Sequence, residues 1–231
     1  MRKKKTGNGI SFDFSSLTFG QAIEEDREEI PKLSTEPAAF ENAEQMADSL
    51  DYSKDYFVFV PGNFIFGDFL EALCYKKRLA PDEIYITTLG MSQDNVDSIV
   101  NLTDYLGCKK VNLIVSHYFA GVERHKLIPY MQREFAGKQI DVAVLQSHCK
   151  IALIFSSKGN ILISGSANLS SSNNVEQFVI MHDEKTITYV KKRLDNIMRR
   201  FTVYSGIGNK SNAVDHKANT GKRAFETLME G

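Results

Sequence analysis

His148 and Lys150 stand two residues apart at the head of an apolar run, and Gly165-Ser166-x-Asn168 follows at the end of the next one. Glu176 then opens a third apolar run. These side-chain types suit attack on a phosphodiester. A lysine ammonium and an asparagine amide donate to the non-bridging oxygens and hold their charge as phosphorus is attacked. A neutral imidazole attacks phosphorus and carries it as a phosphohistidine. A nearby carboxylate orients the ring and stabilises the imidazolium. The set needs no metal and implies no cofactor.

The elements around these residues must bring them together. Side chains alternate faces along a strand, so His148 and Lys150 are expected to point one way and Cys149 the other. The same holds for Ser166 and Asn168 if that segment stays extended, and Gly165 permits close backbone approach. Strands are predicted over 150–156 and 160–164, joined by the hairpin signal Ser157-Lys158-Gly159, and over 176–182. Upstream, apolar strand-like runs at 56–60, 83–89, 110–119 and 140–146 alternate with helix-like segments at 68–79, 94–106 and 123–135. Helices are also predicted over 41–50 and 184–200. The alternation predicts an α/β domain with a largely parallel sheet.

H-x-K, then G-S-x-N, then a later Glu resembles the phospholipase D superfamily, over about 30 residues carried by His148, Lys150, Gly165, Ser166, Asn168 and Glu176. The resemblance implies a phospholipase D-like mixed, largely parallel sheet flanked by helices. It implies that His148 is the nucleophile or its general-acid twin. Lys150 and Asn168 become the phosphate clamp with Ser166 beside them, and Glu176 pairs with the nucleophilic histidine. The commonest family pattern has an Asp five residues after the Lys, where this chain has Phe155, and its Gly-Ser comes three residues sooner. Both departures are similar to a nuclease-like subgroup of restriction- and helicase-associated members. Family enzymes use two motif copies around one site, and this chain has one. His117 and His125 lack the partner lysine and the Gly-Ser-x-Asn that should follow. A complete site therefore calls for a homodimer with one His148 from each chain. His117, at a predicted strand end, either lines the same cleft or is simply packed. Pro61-Gly62-Asn63-Phe64 reads as a turn, because the pattern of a nucleotide-binding loop is missing.

Composition sets the class. The 231 residues are 42% apolar and 25% charged, as in an ordinary globular protein, with net charge −1. Charge is unevenly spread: Lys185 to Arg223 holds ten Lys or Arg against two Asp, and a short basic head runs from Arg2 to Lys5. Such blocks suit a phosphate-bearing partner, here nucleic acid, or form a solvated helix face and tail. Cys74, Cys108 and Cys149 lie far apart with no C-x-x-C pair, so neither zinc nor a disulfide framework is expected. No run approaches the roughly 18 apolar residues of a membrane span. No apolar stretch follows the N-terminal charges, so a cytoplasmic protein without membrane attachment is expected.

Residues 1–40 read as a flexible polar segment with a short helix near Gln21 to Glu29, residues 41–201 as the α/β domain, and 202–231 as a basic, disordered tail. Two functions fit: a metal-independent phosphodiesterase, foremost a nuclease, or a catalytically silent nucleic-acid-binding or scaffold protein of the same fold.

Overall fold

In the computed structural model, residues 36–39, 43–52, 54–60, 64–170 and 174–207 are described. The expected helix near Gln21 to Glu29, the turn at 61–63 and the tail beyond 207 lie outside them. Among the described residues, nine strands form one sheet in the order β1-β2-β8-β7-β6-β3-β4-β5-β9. These are β1 (Glu36–Ala39), β2 (Tyr56–Val60), β3 (Glu83–Thr88), β4 (Val111–Ser116), β5 (Ile140–Leu145), β6 (Ile151–Ser156), β7 (Gly159–Gly165), β8 (Glu176–Met181) and β9 (Thr202–Ser205). The helices are α1 (Ala43–Ser49), α2 (Phe66–Lys77), α3 (Gln93–Asp104), α4 (His117–Val122), α5 (Leu127–Glu134) and α6 (Glu184–Phe201). The mixed α/β class with flanking helices is as expected.

The expectation of a largely parallel sheet is corrected. Three neighbouring pairs are parallel, β1-β2, β3-β4 and β4-β5, and five are antiparallel. The cause is an insertion: the β6-β7-β8 meander pairs between β2 and β3, so two strands adjacent in the helix–strand alternation are not neighbours in the sheet. The same insertion carries the His148, Ser166 and Glu176 segments into the middle of the sheet.

Helices pack on both faces. On one, α1 to α5 cover a continuous core that includes Val58, Phe66, Phe69, Ile86, Leu113, Ile154, Ile163 and Phe178. On the other, Ile187, Leu194, Ile197, Met198 and Phe201 of α6 pack on Tyr85, Ile114, Leu145, Leu153 and Leu162. The apolar spacing of α6 matches a single buried stripe. Its polar edge is anchored by Lys191, whose Nζ lies 3.0 Å from Tyr85 Oη, 2.9 Å from Asp195 Oδ2 and 3.3 Å from Glu83 Oε2. Burial, then a hydrogen bond to Asp195, pushes the Tyr85 hydroxyl far above the usual tyrosine range. No helix among the described residues is long and apolar enough to cross a membrane.

Three local differences from the expected elements have physical causes. The strand expected over 110–119 stops at Ser116, whose hydroxyl accepts from Phe119 N at 2.9 Å and caps α4. The helix expected over 123–135 starts only at Leu127. Pro129 has no N–H to give and is tolerated in the first turn of α5, not inside a helix begun at Glu123. Third, the segment after Phe201 does not leave the domain at once. Thr202–Ser205 pairs antiparallel with β5, and β1 likewise takes up 36–39 of the expected flexible segment.

The sheet continues into a locked corner at Gly206, whose N–H donates to Ile140 O at 2.9 Å and whose carbonyl accepts from Gly137 N at 2.7 Å. A Cβ there would collide with the carbonyl oxygens of Phe135 and Lys138. Backbone cannot yield as a side-chain tip does. Gly206→Ala is therefore expected to cost about 1–3 kcal/mol, read as a lower urea midpoint at unchanged slope; wild-type stability would show that β9 and its corner are not integral to the domain.

Candidate active site

His148, Cys149 and Lys150 occupy the connection between β5 and β6, immediately before Ile151 begins the strand. Strand alternation is thus not what brings His148 and Lys150 together; a direct contact is. Lys150 Nζ lies 2.9 Å from His148 Nδ1 and donates to His148 O at 3.2 Å. Cys149 N donates to Ser147 Oγ at 3.2 Å, which tightens the turn. His148 and Cys149 are exposed, and Lys150 is half-buried. Cys74 and Cys108 are buried. Burial pushes the Cys108 thiol up to about 12 and the Cys74 thiol beyond that, so both are inert.

The sheet brings the remaining residues to the same edge. Gly165 N donates to Lys150 O at 3.1 Å, so the end of β7 lies against the start of β6. Ser166 N donates to Gln177 O at 3.0 Å, and Gln177 N donates to Ser166 Oγ, also at 3.0 Å. The Ser166 hydroxyl then has its own proton to give, and it gives it to Glu176 Oε2. Glu176, whose pairing with His148 was expected from the resemblance, is therefore bonded to Ser166 within one chain. The glycine is required by packing: a Cβ on Gly165 would meet Gln177 O and lie 2.5 Å from Phe178 Cδ1.

Asn168 is held from the other side. Its Oδ1 accepts from Leu89 N at 3.2 Å, just past the end of β3. With the carbonyl oxygen taken, the amide nitrogen remains as the donor the site can use. A supporting layer beneath was not read from the sequence. Thr87 Oγ1 accepts from Ile151 N at 2.9 Å, Thr88 Oγ1 accepts from Leu169 N at 3.2 Å, and Ser116 Oγ donates to Leu89 O at 2.9 Å. Thr87 and Thr88 are nearly fully buried. The signal for them was a pair of hydroxyl residues ending an otherwise apolar strand, since buried hydroxyls need partners.

These contacts fix chemistry. With Nδ1 of His148 accepting from the Lys150 ammonium, the ring proton sits on Nε2. Attack by Nε2 requires the other tautomer. The Lys150 ammonium gives two of its N–H groups to His148 and has a third left to donate. Among the described residues, no three His, Cys, Asp or Glu side chains gather in a metal-binding arrangement.

Phe155 stands apart from this site. It lies five residues along β6 from Lys150, roughly 16 Å at the rise of a strand. It packs toward α6, with its ring 6.4 Å edge-on from Tyr85 and Lys191 Nζ 5.6 Å from its centre. An apolar residue there takes no group away from the clamp. His117 is half-buried at the first position of α4, and His125 is exposed in the turn before α5. A cleft of about 490 Å³ beside the loops after β3 and β4 is lined by residues including Ser92, Lys126, Tyr130 and Arg133. A larger one, about 590 Å³, opens under α6 at the starts of β3 and β4, the sheet edge opposite His148.

Gly165→Ala should displace Ser166 from Gln177 and cost about 1–3 kcal/mol of stability, read by urea unfolding. A variant as stable as wild type would mean that β7 and β8 are not as closely pressed as described.

No family model and no curated protein matches the sequence. Among solved structures the chain is similar to NucT from Helicobacter pylori, at 18% identity and TM-score 0.49, covering 64% of this chain and 98% of that one. It is similar to polyphosphate kinase from Porphyromonas gingivalis, at 18% identity and TM-score 0.47, covering 69% of this chain and 27% of that one. It is also similar to phosphatidylserine synthase from Haemophilus influenzae Rd KW20, at 13% identity and TM-score 0.45, covering 64% and 39%.

Proposed function

We propose that this chain is a cytoplasmic, metal-independent phosphodiesterase of the phospholipase D type, a nuclease that acts as a homodimer. The observation that carries the reading is what meets at one sheet edge: an exposed His148 bonded to Lys150, Gly165 N on Lys150 O, Ser166 bonded to Glu176, and Asn168 held by Leu89 just past the end of β3. Lys150 and Asn168 bind the non-bridging oxygens of a diester. His148 Nε2 attacks phosphorus, a P–N bond forms and the bond to the leaving alkoxide breaks. The leaving oxygen takes a proton from the second chain's histidine, the same His148. Water then attacks phosphorus, gives its proton to that second imidazole, and the P–N bond breaks. One imidazole cannot be nucleophile and acid in the same step, which is why one chain holds half a site. The silent-scaffold alternative draws on Phe155 and on the longer spacing to Gly165-Ser166; against it, Phe155 packs toward Tyr85 and Lys191, away from His148. Nucleic acid is favoured as substrate by the exposed basic residues Lys185, Lys192, Arg199 and Arg200 on α6.

His148→Ala should lower hydrolysis of a diester at least about a thousandfold while leaving strand binding in place, and Lys150→Ala should damage both. Wild-type activity should persist in EDTA, and sedimentation should show a dimer at micromolar concentration. Hydrolysis that survives His148→Ala, or full activity from a strict monomer, would overturn the reading.

A deletion that respects β9 begins after Ile207. Removing 208–231 takes away Lys210, Lys217, Lys222 and Arg223. It should weaken nucleic-acid binding and flatten the salt dependence, by about 0.9 in log–log slope for each phosphate that the tail neutralises. An unchanged slope would show that the tail neutralises none.

A further inference from the structure

Among the described residues, one part of the sheet surface is uncovered, and it borders the site. On the α6 side, the core takes residues from β3 to β7 and, at its rim, only Met181 from β8. β2 alternates, with Tyr56, Val58 and Val60 buried and Phe57 and Phe59 outward. Phe57 is 36% and Phe59 54% exposed, with ring centroids 5.3 Å apart. Phe59 lies directly across from Gln177, and Phe57 from Val179. Gln177 is the residue whose backbone exchanges two hydrogen bonds with Ser166. The aromatic pair therefore lies one strand from Ser166, across β8, with β8 and β7 between it and Lys150 at the start of β6. No charged residue occurs among Phe57, Phe59, Ser164, Gln177 and Val179, and the Gln177 amide oxygen is buried without a hydrogen-bond partner.

Two adjacent exposed aromatic rings and an anion clamp on the same sheet match the parts of a nucleotide. A phosphate goes to the clamp and a base face lies on a ring. A duplex cannot use such a surface, because its bases are already stacked on one another. We infer that Phe57 and Phe59 form a stacking platform for unpaired bases, so that this chain takes single-stranded nucleic acid, with the strand running from Lys150 and Asn168 past the ends of β7 and β8 onto β2. The inference rests on the nuclease reading for the placement of the phosphate.

The sequence contains no tryptophan. Phe59→Trp therefore supplies a unique fluorophore on the platform and keeps an apolar ring there. In a His148→Ala background, which prevents cleavage, titration with a single-stranded oligothymidylate should quench this tryptophan. The midpoint should match that from anisotropy of the labelled oligonucleotide, and the corresponding duplex should leave the fluorescence unchanged. Phe59→Ala and Phe57→Ala should each weaken single-strand binding about tenfold, with circular dichroism confirming that both variants fold. A tryptophan indifferent to an oligonucleotide that binds, or no binding of the oligonucleotide at all, overturns the inference. So does a dimer that becomes a monomer on Phe57→Ser with Phe59→Ser, which would assign the face to a second copy. Hydrolysis of bis(p-nitrophenyl) phosphate by the wild-type protein separates the two ideas, because so small a diester needs no platform. Its hydrolysis with an unresponsive tryptophan sinks the platform alone. Its absence, with quenching intact, leaves a single-strand-binding surface and sinks the nuclease.

Discussion

There is no room for a side chain at Gly165, and the site depends on that. Phe178 lies over the glycine, Gln177 O crowds it from the next strand, and its N–H reaches Lys150 O at 3.1 Å. This close approach sets three strand ends side by side: the start of β6 with His148 and Lys150 before it, the end of β7 with Ser166 after it, and the start of β8 at Glu176. A bulkier residue would part β7 from β8, and Ser166 could no longer both accept from Gln177 and donate to Glu176. The fixed end of β3 then adds Asn168 through Leu89, and the buried Thr87 and Thr88 hold the loops on either side. Rigid backbone pairing, rather than a deep pocket, is what positions these groups.

Much of this was legible in the sequence, for local reasons. The apolar runs at 56–60, 83–88 and 140–145 are strands because β-branched and aromatic residues bounded by turns have few other ways to be buried. The grouping of His148, Lys150, Ser166, Asn168 and Glu176 at one edge was also legible, since their spacings match a hairpin and its next strand. Strand order was not. Periodicity records which face of a strand is buried, but not which strand lies beside it, and β8 displaced β3 as the neighbour of β2. The strand β9 was illegible for a related reason: Thr202–Ser205 is short, polar at its ends and pairs with the distant β5.

The site also corrects an argument while keeping its result. His148 and Lys150 were expected to share a face by alternation along a strand, yet both precede β6 and meet through the Lys150 ammonium on Nδ1. The contact orients the imidazole ring against Lys150. Phe155 likewise lies away from His148, with Tyr85 and Lys191 as its partners.

The central claim is a two-step transfer through His148, and the stereochemical course at phosphorus tests it most directly. With a diester made chiral at phosphorus by isotopic oxygen or sulfur, attack by imidazole and then by water inverts the centre twice. The account predicts overall retention of configuration. Overall inversion would mean that water attacks the diester directly, and His148 would then be no nucleophile.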